Sequence, residues 1–490
     1  MEKNPSHILE IVFAGSDKAQ SKRITALARE GKLRKIAPRI YTSNLSDAPA
    51  AIIRRNWYRV LATLFPNALL SHRTALEARP TTDGHVYLTY TYTRNVKLPG
   101  LTIHFLKGPG RVDGDQQLFE NLYVSQEARA YLENLQSSRS SATEIKTLPL
   151  PQLEERLEAV VRARGERGLN AIRDGARLIA AELGMEAELK KLDELISRLL
   201  STGNPAVLHA PAAIARALGE PIDPDRDRLF ESLYEALAGS VYPQYADKNS
   251  GDQAYRTFAF FESYFSNYIE GTEFTVGEAK KIIETELPIP SRDEDSHDIL
   301  GTYRIVSNKN EMTTLPATAD QLLDLLRTRH AVLLQSRTTK KPGEFKDRNN
   351  RAGNTEFVDW QLVAGTLKKG FEWYSLLREP FARAAYMMFM ITEVHPFNDG
   401  NGRIARVMMN AELSARQLTK IIIPTVYRED YMGALRKLTR QRTADAYIRM
   451  MLRAYEFSAA LVGESIGAME RQLIQMDAFK EPGDGKLRML

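Results

Sequence analysis

The chain has 490 residues, too many for one hydrophobic core, so about two to four domains are expected. With 43% hydrophobic and 26% charged residues, no apolar run near membrane length and no cysteine, its composition excludes disulfides, thiolate metal sites and cysteine nucleophiles. The net charge of +5 is uneven: residues 1–60 carry twelve Lys/Arg against five Asp/Glu, which leaves the rest at −2 and predicts an anionic partner for the N-terminus.

The opening, MEKNPSHILEIVFAG, has too short an apolar stretch for a secretory signal, and with the lack of cysteine it predicts a cytoplasmic protein. HILEIVFAG reads as a short helix, SDKAQSKRITALAREGKL as a turn and a helix, and RKIAPRIYT as a basic strand pair. A helix–turn–helix followed by a basic hairpin describes a winged helix over residues 1–60. Ser21, Lys22 and Arg23 would open the second helix and face a DNA groove, while Lys32, Arg34, Lys35 and Arg39 would sit on the wing near phosphates. A protein-docking winged helix and a solvated charged face are the competing readings. SKRITALAREGKLRKIAPRIYT and, further on, SHRTALEA (Ser71–Ala78) resemble the AbiEi-type antitoxins and related transcriptional regulators, which begin with a winged helix. That resemblance implies DNA binding in a toxin–antitoxin or regulatory setting. Relatives often have glycine before the final tyrosine, where this chain reads Pro38-Arg39-Ile40-Tyr41.

Residues 61–136 read as a small α+β module: HVYLTYTYT (His85–Thr93) alternates like a half-buried strand, Pro99-Gly100 marks a turn, and LTIHF continues as a strand. Residues 137–150, rich in Ser/Thr and ending at prolines, read as a linker. Residues 151–240 turn helical, with leucine stripes that predict the packing faces of a bundle. No heptad is sustained, but a homo-oligomer is compatible with these stripes.

Residues 241–465 hold three informative segments. In SNYIEG, Ser266 and Glu270 are i and i+4 on one helix face, and Gly271 suits a C-cap. KPGEFKDRNNRAG (Lys341–Gly353) reads as a turn or hairpin. HPFNDGNGRIAR (His395–Arg406) lies between two apolar stretches of helical spacing, Phe381–Val394 and Arg403–Leu418, so its polar residues occupy a tight loop. The amides of Gly400, Asn401 and Gly402 would face an anion at a helix N-terminus, and Asp399 is a hard oxygen ligand of the kind Mg²⁺ takes beside phosphates. Arg403 and Arg406 share a face and can fork onto phosphate oxygens. His395 can accept a proton near neutral pH, and Phe397 would pin the loop to the core. The segment 466–490, charged and Gly/Pro-containing after Met476, reads as a mobile tail.

HPFNDGNGRIAR fits the pattern H-x-F-x-[DE]-G-N-G-R-x-x-R at every fixed position, and about Ser240 to Leu461 resembles the Fic-domain family. Most members with this pattern transfer AMP from ATP to a hydroxyl side chain of a target protein. The resemblance implies that His395 is the base and that Asp399 holds Mg²⁺ between the α- and β-phosphates. It implies that Gly400, Asn401 and Gly402 form the anion hole, with Arg403 on the β-phosphate and Arg406 on the γ-phosphate. Phosphotransfer relatives lack the second arginine. Lys341–Gly353 would be the flap whose edge pairs with the target backbone, matched at Pro342, Gly343, Phe345 and Gly353. Asn350 and Ala352 stand where relatives carry branched apolar residues. Further ATP contacts are implied for Tyr431 and Gly353, with Tyr427 beside the adenine pocket. SNYIEG fits the inhibitory pattern [ST]-x-x-x-E-[GN], so Glu270 would pair with Arg406 and force ATP into an unproductive pose. The expected protein is multidomain and mainly α: an all-α Fic core with a β-hairpin flap, behind a winged helix and an α+β module. Its expected activity is autoinhibited transfer of AMP from Mg-ATP to a Ser, Thr or Tyr of a target or of itself. The alternatives are a DNA-binding regulator whose Fic domain senses nucleotide, and a Fic enzyme using another donor.

Overall fold

The computed structural model describes residues 9–15, 17–137, 145–200 and 206–489, and the chain divides into two compact units, Met1–Gly219 and Glu220–Leu490.

The first unit opens with β1 (Ile11–Phe13), α1 (Lys18–Arg29), β2 (Arg34–Ala37) and β3 (Ile40–Thr42), the strands forming an antiparallel sheet in the order β1-β3-β2. The expected basic hairpin is therefore β2–β3. The helix expected over HILEIVFAG is not: its Ile11–Phe13 pairs with β3 from Ile11↔Thr42 to Phe13↔Ile40. Periodicity cannot separate strand from helix in so short an apolar run, and β3 offers free backbone groups. Residues 1–8, the start of that segment included, lie outside the described residues. Asp17 caps α1 by accepting from the Ala19 amide at 2.9 Å, so Ser21, Lys22 and Arg23 lie one turn inside the helix rather than at its opening.

There follow α2 (Pro49–Arg55), α3 (Trp57–Leu64), β4 (Leu69–Leu70), α4 (His72–Glu77), β5 (His85–Tyr90), β6 (Arg94–Leu98), β7 (Leu101–Lys107), β8 (Gln116–Phe119), β9 (Leu122–Val124) and α5 (Glu127–Asn134). The six strands are ordered β6-β7-β5-β4-β9-β8. The expected division at residue 60 cuts α3, and one core joins Ile11, Ile40 and Ile52 to Val86 and Ile103. The basic segment and the sheet thus fold around shared apolar side chains. A second core joins α5 to α6 (Leu150–Leu183), α7 (Glu186–Leu200) and α8 (Pro211–Ala217). The helical path of α6 breaks at Gly165, whose φ of 64° suits glycine. Residues 138–144 of the expected linker are outside the described residues, and Thr147 and Leu148, near its end, are buried.

The second unit is helical: α9 (Pro224–Ala238), α10 (Asp252–Ile269), α11 (Val276–Thr285), α12 (Asp293–Val306), α13 (Lys309–Thr313) and α14 (Ala319–Leu333), then the hairpin β10 (Arg351–Ala352) and β11 (Thr355–Glu356), then α15 (Val363–Leu376), α16 (Pro380–Val394), α17 (Asn401–Ser414), α18 (Arg428–Gln441), α19 (Asp445–Ala460) and α20 (Ile466–Gln475). The bundle expected over 151–240 is split, since α9 packs here through Leu229, Phe230 and Leu233. Nearly every residue of α16 is buried, as an all-round apolar helix requires, and α17 packs along it.

The expected mobile tail is folded. Met476 and Ala478 are fully buried, and Phe479 packs against Phe261, Tyr264 and Phe265 of α10. Tyr268 Oη donates to Glu481 Oε1 at 2.6 Å. The charged residues around these side chains mask them in composition.

Candidate active site

The site is built where α16 stops and α17 starts. Pro396 disfavours a helical residue before it, so the chain leaves α16 through a left-handed His395, at φ 53°. Gly400, at φ 72°, turns it into α17. Asn401 locks the intervening loop: its Oδ1 accepts from the Phe397 amide at 2.8 Å and its Nδ2 donates to the Phe397 carbonyl at 2.9 Å. Phe397 is fully buried. Its ring lies flat on His330, centroids 3.7 Å apart.

His330 was not visible as a site residue. Its Nδ1 accepts from the Gly343 amide at 3.0 Å, so its Nε2 carries the proton and donates to the Asp399 carbonyl at 3.0 Å. Burial pushes its pKa down to about 4, which keeps the ring neutral and these two roles fixed. The start of the flap segment and the acidic residue of the loop are thereby tied together.

His395 is half-buried, and the Phe357 ring stacks on it at 3.7 Å. Its Nδ1 lies 3.2 Å from the Thr392 carbonyl, which assigns the proton to Nδ1 and leaves the Nε2 lone pair free. Burial, aided by the nearby Lys346 charge, pushes its pKa down to about 4 against the opposing pull of Glu270 and Asp399. A neutral imidazole with a free Nε2 can take a proton.

The Gly400 amide donates to Asp399 Oδ1 at 2.7 Å and is engaged within the loop. The next amides, of Asn401, Gly402 and Arg403, belong to the first turn of α17, which has no intrahelical partners for them. Asp399 keeps a partly exposed carboxylate, with Lys340 Nζ 3.9 Å from Oδ2. No group of three His, Cys, Asp or Glu capable of holding a metal occurs among the described residues. A single open carboxylate fits Mg²⁺ that takes its other oxygens from phosphates and water, and does not fit an all-protein metal cage.

The two arginines have different partners. Arg406 is enclosed: Nε donates to Ser266 Oγ at 3.0 Å, Nη2 to the Ser266 carbonyl at 2.8 Å and to Glu270 Oε1 at 2.7 Å, and Nη1 lies 3.4 Å from Tyr431 Oη. Burial works to raise the Glu270 pKa, but Arg406, with Arg403 behind it, outweighs burial and holds the carboxyl below its ordinary value. A Cβ on Gly402 would overlap Glu270 Oε1. The carboxylate therefore fills the space beside the first-turn amides. Arg403 pairs with Asp298 Oδ2 at 2.5 Å and reaches Asn267 Oδ1 at 3.4 Å. Asp298, almost fully buried, is held from the other side by Arg337, whose Nε lies 3.0 Å from both carboxylate oxygens. Neither Asp298 nor Arg337 carries a local sequence signal.

The structure brings together His395, Phe397, Asp399, Gly400, Asn401, Gly402, Arg403, Arg406, Ser266, Glu270 and Tyr431. Gly353 stands apart from these side chains, at φ 56° in the turn of the β10–β11 hairpin with open space around its Cβ position. Tyr427 lies in the short turn before α18, packed against the core of the unit. Of the N-terminal residues, Ser21 Oγ donates to the Gly15 carbonyl at 2.9 Å, Arg34 to the carbonyls of Asn44 and Asp47, and Arg39 Nε to the Ala14 carbonyl at 3.0 Å. Lys32 pairs with Glu30 at 2.9 Å. Lys22, Arg23 and Lys35 are exposed.

The arrangement sets the open first turn of α17 between a neutral imidazole and a buried carboxylate–guanidinium pair. Residues 320–413 match the model of the Fic/DOC family, and the chain carries a Fic domain. It is 25% identical over 234 residues to protein adenylyltransferase fic-1 of Caenorhabditis elegans, covering 46% of this chain and 44% of that protein. It is 28% identical over 303 residues to protein adenylyltransferase Fic of Nematostella vectensis, covering 53% of this chain and 65% of that protein. The match spans less than two thirds of either relative. A solved Fic-1 fragment from C. elegans superposes with a TM-score of 0.37 at 17% identity, covering 67% of this chain and 89% of that one. IbpAFic2 covalently tethered to Cdc42 superposes at 0.28 and 16%, covering 65% and 99%. No helix of the described residues is long and apolar enough to cross a membrane.

Proposed function

We propose that this chain transfers AMP from Mg-ATP to a hydroxyl side chain of a target protein or of itself, and that Glu270 holds it in a resting state. The observation that carries the reading is the 2.7 Å pair between Glu270 Oε1 and Arg406 Nη2, beside the first-turn amides of α17 and the free Nε2 of His395. A polyphosphate would take the volume and the cation that Glu270 now uses. With the carboxylate withdrawn, the amides of Asn401 and Gly402 and the two guanidiniums bind phosphate oxygens. Asp399 would hold Mg²⁺, which supplies charge neutralisation on the phosphates. The target hydroxyl oxygen bonds to the α-phosphorus, the bond from that phosphorus to the bridging oxygen breaks, and pyrophosphate leaves. The hydroxyl proton passes to His395 Nε2. The edge of the β10–β11 hairpin would pair with the target backbone. In this reading Tyr431, next to Arg406, and Gly353, in the hairpin, border the nucleotide site.

The test is incorporation of labelled ATP into the protein and into lysate proteins. Glu270→Gly should label strongly, wild type weakly and His395→Ala not at all; equal labelling by all three defeats the reading. UTP, GTP and CDP-choline run beside ATP decide the donor.

A second reading concerns the N-terminal unit. Exposed Lys22, Arg23 and Lys35, which make no ion pair among the described residues, favour an anionic partner, and DNA is the proposed one. A regulatory or antitoxin-like setting remains part of this proposal, carried by the unit that joins α1 and the β2–β3 hairpin to the six-stranded sheet. Salt-dependent retardation of duplex DNA by the full chain supports it, and none at low salt overturns it.

A further inference from the structure

The transferase reading requires the target hydroxyl, presented by the hairpin, to meet the imidazole, carried by a different segment. Something must fix one to the other. Lys346 and Asn350 lie in the loop before β10 and touch both. The Lys346 amide donates to the Pro396 carbonyl at 2.8 Å. Its ammonium donates to Asn350 Oδ1 at 2.7 Å and lies 3.4 Å from the Val394 carbonyl. Asn350 Nδ2 donates to the Phe397 carbonyl at 3.0 Å. The residues on both sides of His395 are thus bonded to this pair. The segment that carries the pair also reaches the ring itself, since the backbone carbonyl of Asn350 accepts from the Phe357 amide at 3.3 Å and Phe357 stacks on the imidazole at 3.7 Å and 6°.

The burial of Lys346 is unusual. A lysine only 2% exposed needs polar partners, and this one makes no ion pair among the described residues. Burial pushes its pKa down to about 8. The Asn350 amide makes directed bonds in both senses, serving the lysine through Oδ1 and the loop carbonyl through Nδ2 at once.

We infer that Lys346 and Asn350 are positioning residues that hold the flap hairpin and the Phe357 ring in register with His395. Neither touches the nucleotide; they act through the histidine and the hairpin. This rests on the transferase reading above, and the experiment separates the two.

In the Glu270→Gly background, Asn350→Ala and Lys346→Met are compared with Lys346→Arg. Calorimetry measures Mg-ATP binding, labelled ATP measures automodification, and ¹H–¹⁵N spectra of the imidazoles report the state of His395. Asn350→Ala should keep Mg-ATP affinity and lose automodification by about a hundredfold, the scale of a small misplacement of reacting groups. Lys346→Met should behave likewise, and Lys346→Arg should restore much of the rate. The His395 resonances should move in Asn350→Ala. The charged groups facing that ring are Lys346, Glu270 and Asp399, so the spectra of Lys346→Met are read against the same Glu270→Gly parent. Asn350→Ala at the parental rate overturns the inference, as does parallel loss of Mg-ATP binding and transfer. If the parent binds Mg-ATP but labels nothing, the transferase reading fails alone; the spectra then decide, with unchanged His395 resonances in Asn350→Ala overturning the positioning role and shifted ones sustaining it.

Discussion

Two regions of this protein are rich in arginine and lysine, and they hold their charges differently. At the start of α17, Arg403 and Arg406 are almost fully buried and each is matched to a carboxylate, Asp298 or Glu270. On α1 and the β2–β3 hairpin, Lys22, Arg23 and Lys35 are exposed, while Arg34 and Arg39 bond to nearby carbonyls. A buried cation must be paired, so its partners reveal the charge the site is built around; an exposed cation pays no such penalty and reveals little. The loop therefore supports a detailed chemical proposal. The N-terminal surface supports only a class of partner.

The contrast can be broken or sharpened. The largest effect is expected from His395→Ala in the Glu270→Gly background, which should lower labelled-AMP transfer by about 10²- to 10⁴-fold, the range for a lost general base. Asp298→Ala would leave Arg403 and Arg337 facing each other without their shared carboxylate. It should destabilise the helical unit by about 3–5 kcal/mol, read from denaturant unfolding. Glu270→Gly should raise transfer about tenfold or more, the factor that corresponds to about 1.4 kcal/mol released from the resting pair. Lys22→Glu with Arg23→Glu should leave AMP transfer unchanged and flatten the salt dependence of DNA retardation by about 0.9 per lost phosphate contact. The smallest change is expected in the pH profile. A base with its pKa held near 4 is unprotonated above that pH, so kcat/KM of the Glu270→Gly enzyme should change little from about pH 7.5 down to about pH 5.5. Removing Glu270, which opposes the depression, moves the acid limb lower still. A limb centred near the ordinary histidine value of about 6.5 contradicts the burial argument.

What was legible in the sequence was local. The loop between α16 and α17, Glu270 one turn after Ser266, and the hairpin before α15 all announce themselves within a dozen consecutive residues. Asp298, Arg337, His330 and Phe357 do not, because each acts on a residue remote in sequence and none lies in a signature of its own. The strand Ile11–Phe13 was misread because its partner, β3, lies some thirty residues on. The C-terminal segment reads as a tail because a few packed side chains, the buried Met476 and Ala478 and the partly buried Phe479, sit among charges. Composition averages over such residues; packing does not.

Gly402 leaves room for a carboxylate that is part of the same chain. On the proposed reading, such a tethered carboxylate competes with nucleotide at an effective concentration set by the geometry of α10, one that neither dilution nor expression level alters. Nucleotide supply, by contrast, varies with the state of the cell. The threshold between rest and work is, on that reading, set by a fixed length of helix, α10, rather than by a diffusing inhibitor.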